Sequence, residues 1–281
     1  MTVLVTGAMG MIGSCLVEAL LKAGHRVIGI DIRGDVLEAD PHFHYQADLS
    51  DEATIGEIME KHKVDRMIHL AALAHTDKET DLSWERYCRI NVRGAESIFR
   101  LAQDRPLLFV STVDVFGFYD GKEPLRGSSP VKPVSLYARS KAMAEERCKE
   151  LKQFDIFRFS PVYTPQIKRD IQKRYYLKYP RLAYRIGKGS SYEVLSIDKA
   201  LQAMTDWCRE EPGNKIRILK DDEPLWTPEA IRREKQEGRA GLVLWVPRWL
   251  VCLGYGILKR ILGETEKVYL LNKAVHPYRS E

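Results

Sequence analysis

The chain has 281 residues, of which 44% are hydrophobic and 30% charged, and its formal net charge at pH 7 is +5. This length can bury a full core, and this composition is that of an ordinary soluble globular protein without internal repeats or low-complexity tracts. The modest net charge gives no argument for a nucleic-acid partner, and none is expected.

The five cysteines are odd in number and never occur in a C-x-x-C spacing. This usage argues against a disulfide framework and a zinc site and fits a reducing compartment. No basic segment precedes the first apolar strand, as a signal peptide would require. We therefore expect a cytoplasmic protein without a metal site. His69 is expected to pack in a strand and His75 to lie in a loop at the pocket rim, since neither has metal-ligand spacing.

Short apolar runs alternate with longer amphipathic runs through the first two-thirds of the chain, which is typical of a βαβ sheet. The predicted strands are Val3–Thr6, Arg26–Ile30, Phe43–Gln46, Arg66–Leu70, Leu107–Ser111 and Asp155–Phe159. The predicted helices cover about 12–23, 51–62, 82–103 and 137–152. Several strands are apolar on both faces, which predicts a parallel sheet covered by helices.

The first strand runs directly into T-G-A-M-G-M-I-G, in which Gly7, Gly10 and Gly13 are spaced by three residues. Glycines allow the tight turn and the close backbone approach that a pyrophosphate at a helix N-terminus requires. Asp31 ends the next strand, where a carboxylate accepts hydrogen bonds from the adenosine ribose and repels a 2′-phosphate. This pattern predicts NAD rather than NADP, although Arg33, two residues further on, could relieve that repulsion.

Further motifs follow in the same order as in a known family: Asp48-Leu49, H-L-A-A at 69–72, N-V-R-G at 91–94, S-T-V-D-V-F-G at 111–117, Y-A-R-S-K at 137–141 and R-F-S-P-V-Y at 158–163. Over about residues 2–163 the chain resembles the extended short-chain dehydrogenases/reductases, the NAD-dependent epimerase/dehydratase family. The resemblance implies an α/β fold with a Rossmann-type, doubly wound parallel sheet and a smaller C-terminal substrate-binding lobe. It also implies NAD contacts at Gly7, Met9, Gly10, Met11, Ile12, Asp31, Ile32, Arg33, Asp48, Leu49, Leu70, Ala71, Ala72, Asn91, Ser111, Tyr137, Lys141, Ser160, Pro161 and Val162.

Tyr137 and Lys141 are four residues apart on a predicted helix, so both side chains project from one face. A tyrosine is a poor base at neutral pH, and lowering its pKa from about 10 to 6–7 requires roughly 4–5 kcal/mol. A neighbouring ammonium supplies part of that bias, and in the family this lysine also holds the nicotinamide ribose. Thr112 ends the fifth predicted strand and is expected to orient the reacting oxygen, with Ser111 as a weaker candidate. Tyr137, Lys141 and Thr112 are therefore the predicted catalytic residues.

Related 4,6-dehydratases have a glutamate base where this chain has Asp114 and an acid where it has Val113. Since valine cannot protonate a leaving hydroxyl, dehydration is disfavoured, and Asp114 is expected to be structural or a minor substrate contact. The predicted substrate contacts are Ala74, His75, Thr112, Val113, Asp114, Tyr163, Arg169 and Tyr192.

After Tyr163 the sequence becomes irregular and basic, with eight lysines and arginines against one acid in residues 166–189. This change predicts a Rossmann domain over 1–163, to which 191–220 returns, and a substrate lobe from 164–190 and 221–281. Sugar-nucleotide enzymes of the family grip the diphosphate with an arginine at the position of Tyr192. Arg169, Arg174, Arg185 or Lys188 could replace that arginine.

Three functions fit these observations. The first is an NAD-dependent epimerase or keto-reductase/dehydrogenase acting on a nucleotide-activated or phosphorylated sugar, with the basic lobe as its support. The second is an oxidoreductase or epimerase of an apolar or lipid-linked alcohol, supported by Tyr192 and the Trp-rich tail. The third is a non-enzymatic NAD-sensing or RNA-associated family member, supported by the Lys/Arg/Tyr mixture of 166–189.

Two expectations concern assembly. By resemblance, the helices at 82–103 and 137–152 form a homodimer interface, with Ile98 and Leu101 buried between subunits. Residues 241–262 are the most hydrophobic stretch and predict an amphipathic helix that begins near Pro247. We expect it to be a core or lid helix of the substrate lobe, with a membrane-surface contact as the alternative.

Overall fold

The computed structural model describes residues 1–74, 83–165, 169–177 and 181–281. Its strands are β1 (Thr2–Thr6), β2 (Arg26–Asp31), β3 (Leu37–Ala39), β4 (His42–Gln46), β5 (Arg66–His69), β6 (Leu107–Thr112), β7 (Phe154–Phe159), β8 (Val162–Tyr163), β9 (Tyr176–Leu177), β10 (Leu182–Ile186), β11 (Ser191–Tyr192), β12 (Leu195–Ser196), β13 (Lys215–Leu219), β14 (Leu225–Trp226) and β15 (Leu242–Val246). Its α-helices are α1 (Met11–Lys22), α2 (Glu52–His62), α3 (Trp84–Tyr87), α4 (Gly94–Ala102), α5 (Leu136–Cys148), α6 (Arg169–Gln172), α7 (Ile197–Trp207), α8 (Thr227–Gln236), α9 (Arg248–Leu262) and α10 (Glu266–Val275). The six predicted strands are confirmed to within one residue at each end.

The chain folds into two compact units. The first comprises residues 1–112, 136–158 and 198–217, and the second comprises 113–135, 159–197 and 218–281. The predicted division, a Rossmann domain over 1–163 and 191–220, stays a prediction; in this grouping 113–135, 159–163, 191–197 and 218–220 belong to the second unit. The assignment of substrate binding to the second unit stays a prediction.

The first unit is built around an eight-stranded sheet, whose strand order is β13-β7-β6-β5-β1-β2-β4-β3. The pairs β5–β6, β1–β5, β1–β2 and β2–β4 are parallel, and β3 adds an antiparallel edge. All five residues of β1 are buried, as expected for a central strand with helices on both faces. The chain order reverses around β1, and ligands of such sheets bind beyond the carboxyl ends of the strands at that reversal.

The core of the first unit joins apolar side chains of the strands to those of α2, α4 and α5. Ile98 is fully buried in this core, and Leu101 packs against it. The expectation that Ile98 is buried between subunits is therefore wrong, because the chain's own sheet covers it.

The helix predicted over 82–103 is interrupted rather than continuous. Ser83 caps α3 by accepting from the Arg86 amide, and a π-helical turn over Cys88–Arg93 leads into α4. Likewise, α5 ends at Cys148 rather than at residue 152. Its last carbonyls are satisfied in a tight turn, where Leu151 N donates to Cys148 O at 3.1 Å.

The second unit contains a three-stranded sheet, β15-β10-β9, and two small pairs, β11–β14 and β12–β8. Its core packs α8 against the sheet, with Tyr175, Ala183, Val194 and Ile231 buried together. Buried Glu234 accepts from Arg239 Nε at 2.6 Å and from Gln172 Nε2 at 2.9 Å, which ties α8 to α6.

The hydrophobic stretch over 241–262 forms β15 and α9, and the helix begins directly after Pro247 as predicted. None of the fifteen residues of α9 is buried. The expectation of a core or lid helix is therefore wrong in one respect: the helix does not bury its apolar face in the lobe. In the described part of the chain, no helix combines the length and the hydropathy that crossing a bilayer requires.

Candidate active site

The glycine turn after β1 admits no side chain at two of its three glycines. Gly7 has φ +71°, and a Cβ there would lie 2.8 Å from the backbone of Ala71. A Cβ on Gly13 would lie 2.1 Å from the Gly7 carbonyl oxygen. Gly10 is the N-cap of α1 and supplies no side-chain cap, so the first amides of the helix are left for a ligand. This cradle fits a dinucleotide pyrophosphate.

Asp31 lies beside the glycine turn at the end of β2. Its carboxylate accepts from Met9 N at 3.0 Å and from Arg33 N at 3.1 Å. Arg33 Nε also lies 3.3 Å from Asp31 Oδ1, on a largely exposed side chain. The carboxylate thus fixes the turn and keeps the Arg33 guanidinium beside it.

The residues predicted at the adenine end have different surroundings. Asp48 is exposed and accepts from Ser50 N and Ser50 Oγ, which lowers the pKa of its carboxyl. Leu49 is buried against Gly94 of α4. Ile32 is largely exposed, and Leu70, Ala71 and Ala72 are half-buried after β5.

Asn91 is buried within the π-helical turn and joins three segments. Its amide donates to Leu73 O at 3.0 Å and to Ser140 Oγ at 2.9 Å, and its Oδ1 accepts from Leu73 N at 2.6 Å. Ser140 Oγ in turn donates to Tyr137 O at 2.7 Å. Asn91 therefore positions the α5 turn that carries Tyr137. Ser140 was not among the predicted site residues, although it lies inside the Y-A-R-S-K motif.

Tyr137 and Lys141 occupy successive turns of α5. Tyr137 is half-buried, whereas Lys141 is only 2% exposed. The Lys141 ammonium lies 4.1 Å from the centre of the Phe109 ring. Burial lowers the pKa of Lys141 to about 7, and the negative charge of Glu145 opposes that shift. Lys141 is thus a desolvated amine, one helical turn from a phenol, that titrates near neutral pH.

Hydroxyl side chains lie at the carboxyl ends of β6 and β7. Thr112 ends β6, as predicted, and is half-buried. The neighbouring Ser111 and, in the second unit, Ser160 are buried, and no described residue hydrogen-bonds either Oγ. Such unsatisfied buried groups are rare and indicate places for a ligand's polar atoms.

His69 packs inside the sheet, as predicted. Its ring stacks on Phe109, and its Nδ1 lies 2.8 Å from Thr6 Oγ1. Burial and the charge of Lys141 lower its pKa to about 3, so the imidazole is neutral. Within the described ranges, no three His, Cys, Asp or Glu side chains are grouped as a metal site would require.

Within the second unit, Asp114 lines a small pocket together with a lysine that the sequence did not single out. Lys273 Nζ of α10 lies 2.6 Å from Asp114 Oδ1, and Tyr269 Oη donates to the same atom at 3.3 Å. Burial raises the pKa of the Asp114 carboxyl, but the charge and hydrogen bond of Lys273, the charge of Arg174 and the hydrogen bond from Tyr269 together leave it lowered. Asp114 is thus a carboxylate held by an ion pair. Lys273 is 159 residues away in sequence, and no local motif marks it.

Arg174 lines the same pocket beside Tyr192. Its guanidinium carbon lies 4.7 Å from the centre of the buried Tyr192 ring, and its Nε is buried with no hydrogen-bond acceptor among the described residues. Arg185 and Lys188, the other described candidates from the basic segment, are exposed. Tyr192, which was predicted to replace the family's arginine, thus has the Arg174 guanidinium packed on its ring.

The remaining predicted contacts are more scattered. Val113, Pro161 and Ser160 line the pocket with Asp114, and Glu193 and Tyr278 complete its wall without having been predicted. Val162 and Tyr163 form β8, where Tyr163 Oη donates to Asp221 Oδ2 at 2.9 Å. Ala74 is exposed, His75 lies outside the described residues, and only the backbone of Arg169 is described.

A family model for the "NAD dependent epimerase/dehydratase family" matches residues 3–209. The chain belongs to the NAD-dependent epimerase/dehydratase family. It is 30% identical over 152 residues to a UDP-glucose 4-epimerase of Lactobacillus helveticus, covering 52% of this chain and 46% of that protein. It is also 30% identical over 166 residues to a probable dTDP-glucose 4,6-dehydratase of Sinorhizobium fredii, covering 52% and 47%. The chain thus matches about half the length of these relatives.

Solved structures confirm the Rossmann-type fold over most of the chain. A UDP-glucuronic acid 4-epimerase from Bacillus cereus in complex with NAD has a TM-score of 0.69 at 20% identity, covering 88% of each chain. TunA, an NAD-dependent NDP-hexosamine 5,6-dehydratase, also has a TM-score of 0.69, at 18% identity, and covers 100% of this chain and 89% of its own. The chain is therefore a member of an enzyme family with the predicted fold.

Proposed function

We propose that this protein is a cytoplasmic, homodimeric, NAD-dependent epimerase or keto-reductase/dehydrogenase that acts on a nucleotide-activated or phosphorylated sugar. The observation that carries the proposal is Lys141, a buried lysine one turn after Tyr137 on α5. The five cysteines are free, in keeping with a reducing compartment.

NAD would be held by the cradle formed by Gly7, Gly10 and Gly13, with Asp31 at the adenosine ribose. Both carboxylate oxygens of Asp31 already accept backbone N–H bonds, so the group is fixed as an acceptor. A 2′-phosphate would meet this carboxylate, which supports NAD over NADP. When bound, the cofactor accepts or returns a hydride.

The protein's own part of the chemistry is proton transfer. Tyr137 would take the proton of a substrate hydroxyl as its hydride leaves and return it in the reverse step. Lys141 would stabilise the phenolate, because an ammonium in a desolvated site interacts more strongly with a developing negative charge. Thr112 would orient the reacting oxygen.

The substrate class rests on the pocket of the second unit. Asp114 is paired with Lys273, and Glu193 is occupied by Lys220 and Ser280. Arg174 is therefore a cation whose buried Nε has no acceptor, which suits an incoming phosphate. We assign Arg174 the role that an arginine at position 192 has in related sugar-nucleotide enzymes. With Val113 at the position of the dehydratase acid, epimerisation or keto reduction remains favoured over dehydration.

A panel of UDP- and dTDP-hexoses, incubated with the protein and NAD and followed by NMR for epimers and keto sugars, tests the proposal. We expect turnover of at least one sugar, and Arg174→Ala should raise the KM at least about tenfold with little change in kcat, since phosphate binding is uniform across the reaction. Arg185→Ala, an exposed arginine of the same segment, is the matched control. Absence of turnover with the whole panel, or an unchanged KM in Arg174→Ala, would refute the substrate class.

A further inference from the structure

Helix α9 is amphipathic, but it turns its polar face to the protein and its apolar face away from it, unlike a helix packed on a core. Its polar side contacts the protein: Arg248 Nη2 donates to Val275 O at 2.8 Å, Tyr255 Oη accepts from Asn272 Nδ2 at 3.1 Å, and Lys259 Nζ lies 5.3 Å from the centre of the Phe118 ring. These three residues recur at spacings of seven and four, so they share one face. The opposite face of α9 is exposed to solvent.

That other face is apolar and exposed. Trp249, Leu253, Ile257 and Ile261 follow one another at four-residue spacing and are between 50% and 71% exposed; we call these four residues the apolar stripe. Trp245, 57% exposed, precedes them on β15. A row of large exposed apolar side chains on one helix exceeds the scattered exposure that monomers normally show and marks an interaction surface.

Arginines and lysines flank the apolar stripe. Helix α9 and the strands β10 and β15 contain no acidic residue. The acids nearest in sequence are Glu264, which pairs with Lys259 on the opposite face of α9, and Glu266 at the start of α10. Arg185 is the β-sheet neighbour of Trp245, and Arg260 lies eleven residues, or three helical turns, after Trp249 and so on the same side. Lys188 follows Gly187, whose backbone lies against Arg248. Arg185, Lys188 and Arg260 are exposed, and no described acid forms an ion pair with them.

We propose that the apolar stripe docks this protein on the surface of an anionic lipid bilayer, with α9 lying in the plane of the interface. Tryptophan and aliphatic side chains on one face, with flanking arginines and lysines, form the combination that interfacial helices use. The fifteen residues of α9 span about 22 Å, less than the roughly 30 Å hydrocarbon core, so the helix suits lying on a bilayer rather than crossing it.

A second copy of the chain is a poorer occupant of this face. A symmetric dimer contact would set the same surface against itself, bringing Arg185 and Arg260 of one protomer against the like charges of its partner. Like-charge juxtaposition disfavours such an interface, whereas anionic headgroups attract the same cations.

Vesicle flotation of the full-length protein, with phosphatidylcholine alone and with 30% phosphatidylglycerol, tests the proposal. We expect flotation with the anionic vesicles and little with the neutral ones. Trp249→Ser/Leu253→Gln/Ile257→Gln should weaken binding at least about tenfold through lost apolar burial. Arg185→Gln/Arg260→Gln should weaken it roughly twenty-five-fold, at about fivefold per surface cation.

Val36→Gln/Leu37→Gln, which removes exposed apolar side chains remote from α9 in sequence and in the other unit, is the matched control and should bind like the wild type. An unchanged melting temperature with NAD present would show that each variant is folded. The proposal would be overturned if the wild type did not float or if the stripe variant floated equally well. It would also be overturned if light scattering without lipid showed that the stripe variant loses a dimer that the wild type forms.

Discussion

Lys141 is a proposed catalytic residue, and its burial lowers the free energy of unfolding. Its pKa falls to about 7 from the usual 10.5, so between these pH values the unfolded chain binds more protons than the folded one. The free energy of unfolding therefore increases as pH rises through this window, and the penalty is complete below about pH 7. A buried ionisable group that destabilises the fold is typical of a functional site.

Lys141→Met should therefore stabilise the NAD-free protein, raising the melting temperature by roughly 5 °C at pH 6, with a smaller gain at pH 9. The same variant should lose turnover, because it keeps the volume of the side chain without the ammonium. Lys235→Met, which removes an exposed lysine of α8, serves as control for both readouts. A destabilised Lys141→Met at pH 6 would contradict the assignment of a desolvated ammonium.

Residues with a local signature were predictable from sequence, and residues that meet only in the fold were not. The glycines spaced by three residues indicate the backbone geometry of a single turn. The tyrosine four residues before a lysine indicates that two side chains share one face of a helix. The partner of Asp114 is different, because Lys273 is placed by α10 and no spacing rule links the two positions. The same holds for Arg174 on Tyr192, where the sequence could offer only a set of basic candidates.

At the scale of elements, α5 is fixed to the sheet by a buried ion pair. Glu145 and Arg158 of β7 are 0% and 1% exposed at the side chain, with Arg158 Nη2 and Glu145 Oε2 2.6 Å apart. Two further contacts from Arg158 Nε make the pairing bidentate. This pair lies one turn beyond Lys141 and so holds the helix that carries the proposed catalytic residues.

Glu145→Leu should lower the free energy of unfolding by about 3–5 kcal/mol, since it leaves the Arg158 guanidinium buried without a counter-charge. The double variant Glu145→Leu/Arg158→Met should recover most of that loss, because it removes both charges at similar volume. Urea denaturation with NAD absent measures both. Additive losses in the double variant would show that the two residues are not coupled.

The positions of the helices and strands were more predictable from the sequence than the geometry within them. Apolar periodicity over 82–103 predicted one helix, whereas a π-helical turn shifts the register at Cys88–Arg93 and directs Asn91 toward Leu73 and Ser140. A π-helical turn adds one residue to a single turn without changing the types of residue present. The apolar periodicity of the segment therefore could not reveal it. For α9 the sequence pattern correctly predicted an apolar and a polar face, but it did not predict that the polar face contacts the rest of the protein.

At the scale of the whole molecule, the proposed homodimer needs exposed rather than core side chains of α4 and α5. Met143 on α5 is 45% exposed, unlike Ile98. If these helices pair between subunits, Met143→Asp should convert the dimer to a monomer by burying an unpaired charge. Light scattering across a hundredfold range of concentration would show this, with Val36→Asp as control. A wild type that is monomeric throughout would contradict the dimer.

The proposed function depends above all on proton transfer by Tyr137 in an NAD-dependent reaction. The most direct measurement compares Tyr137→Phe with wild type in turnover of the best sugar nucleotide and in NAD affinity by calorimetry. We predict turnover reduced by about 10²–10⁴, the usual contribution of one positioned acid–base group, with NAD affinity nearly unchanged. Retention of most of the turnover in Tyr137→Phe would contradict the account.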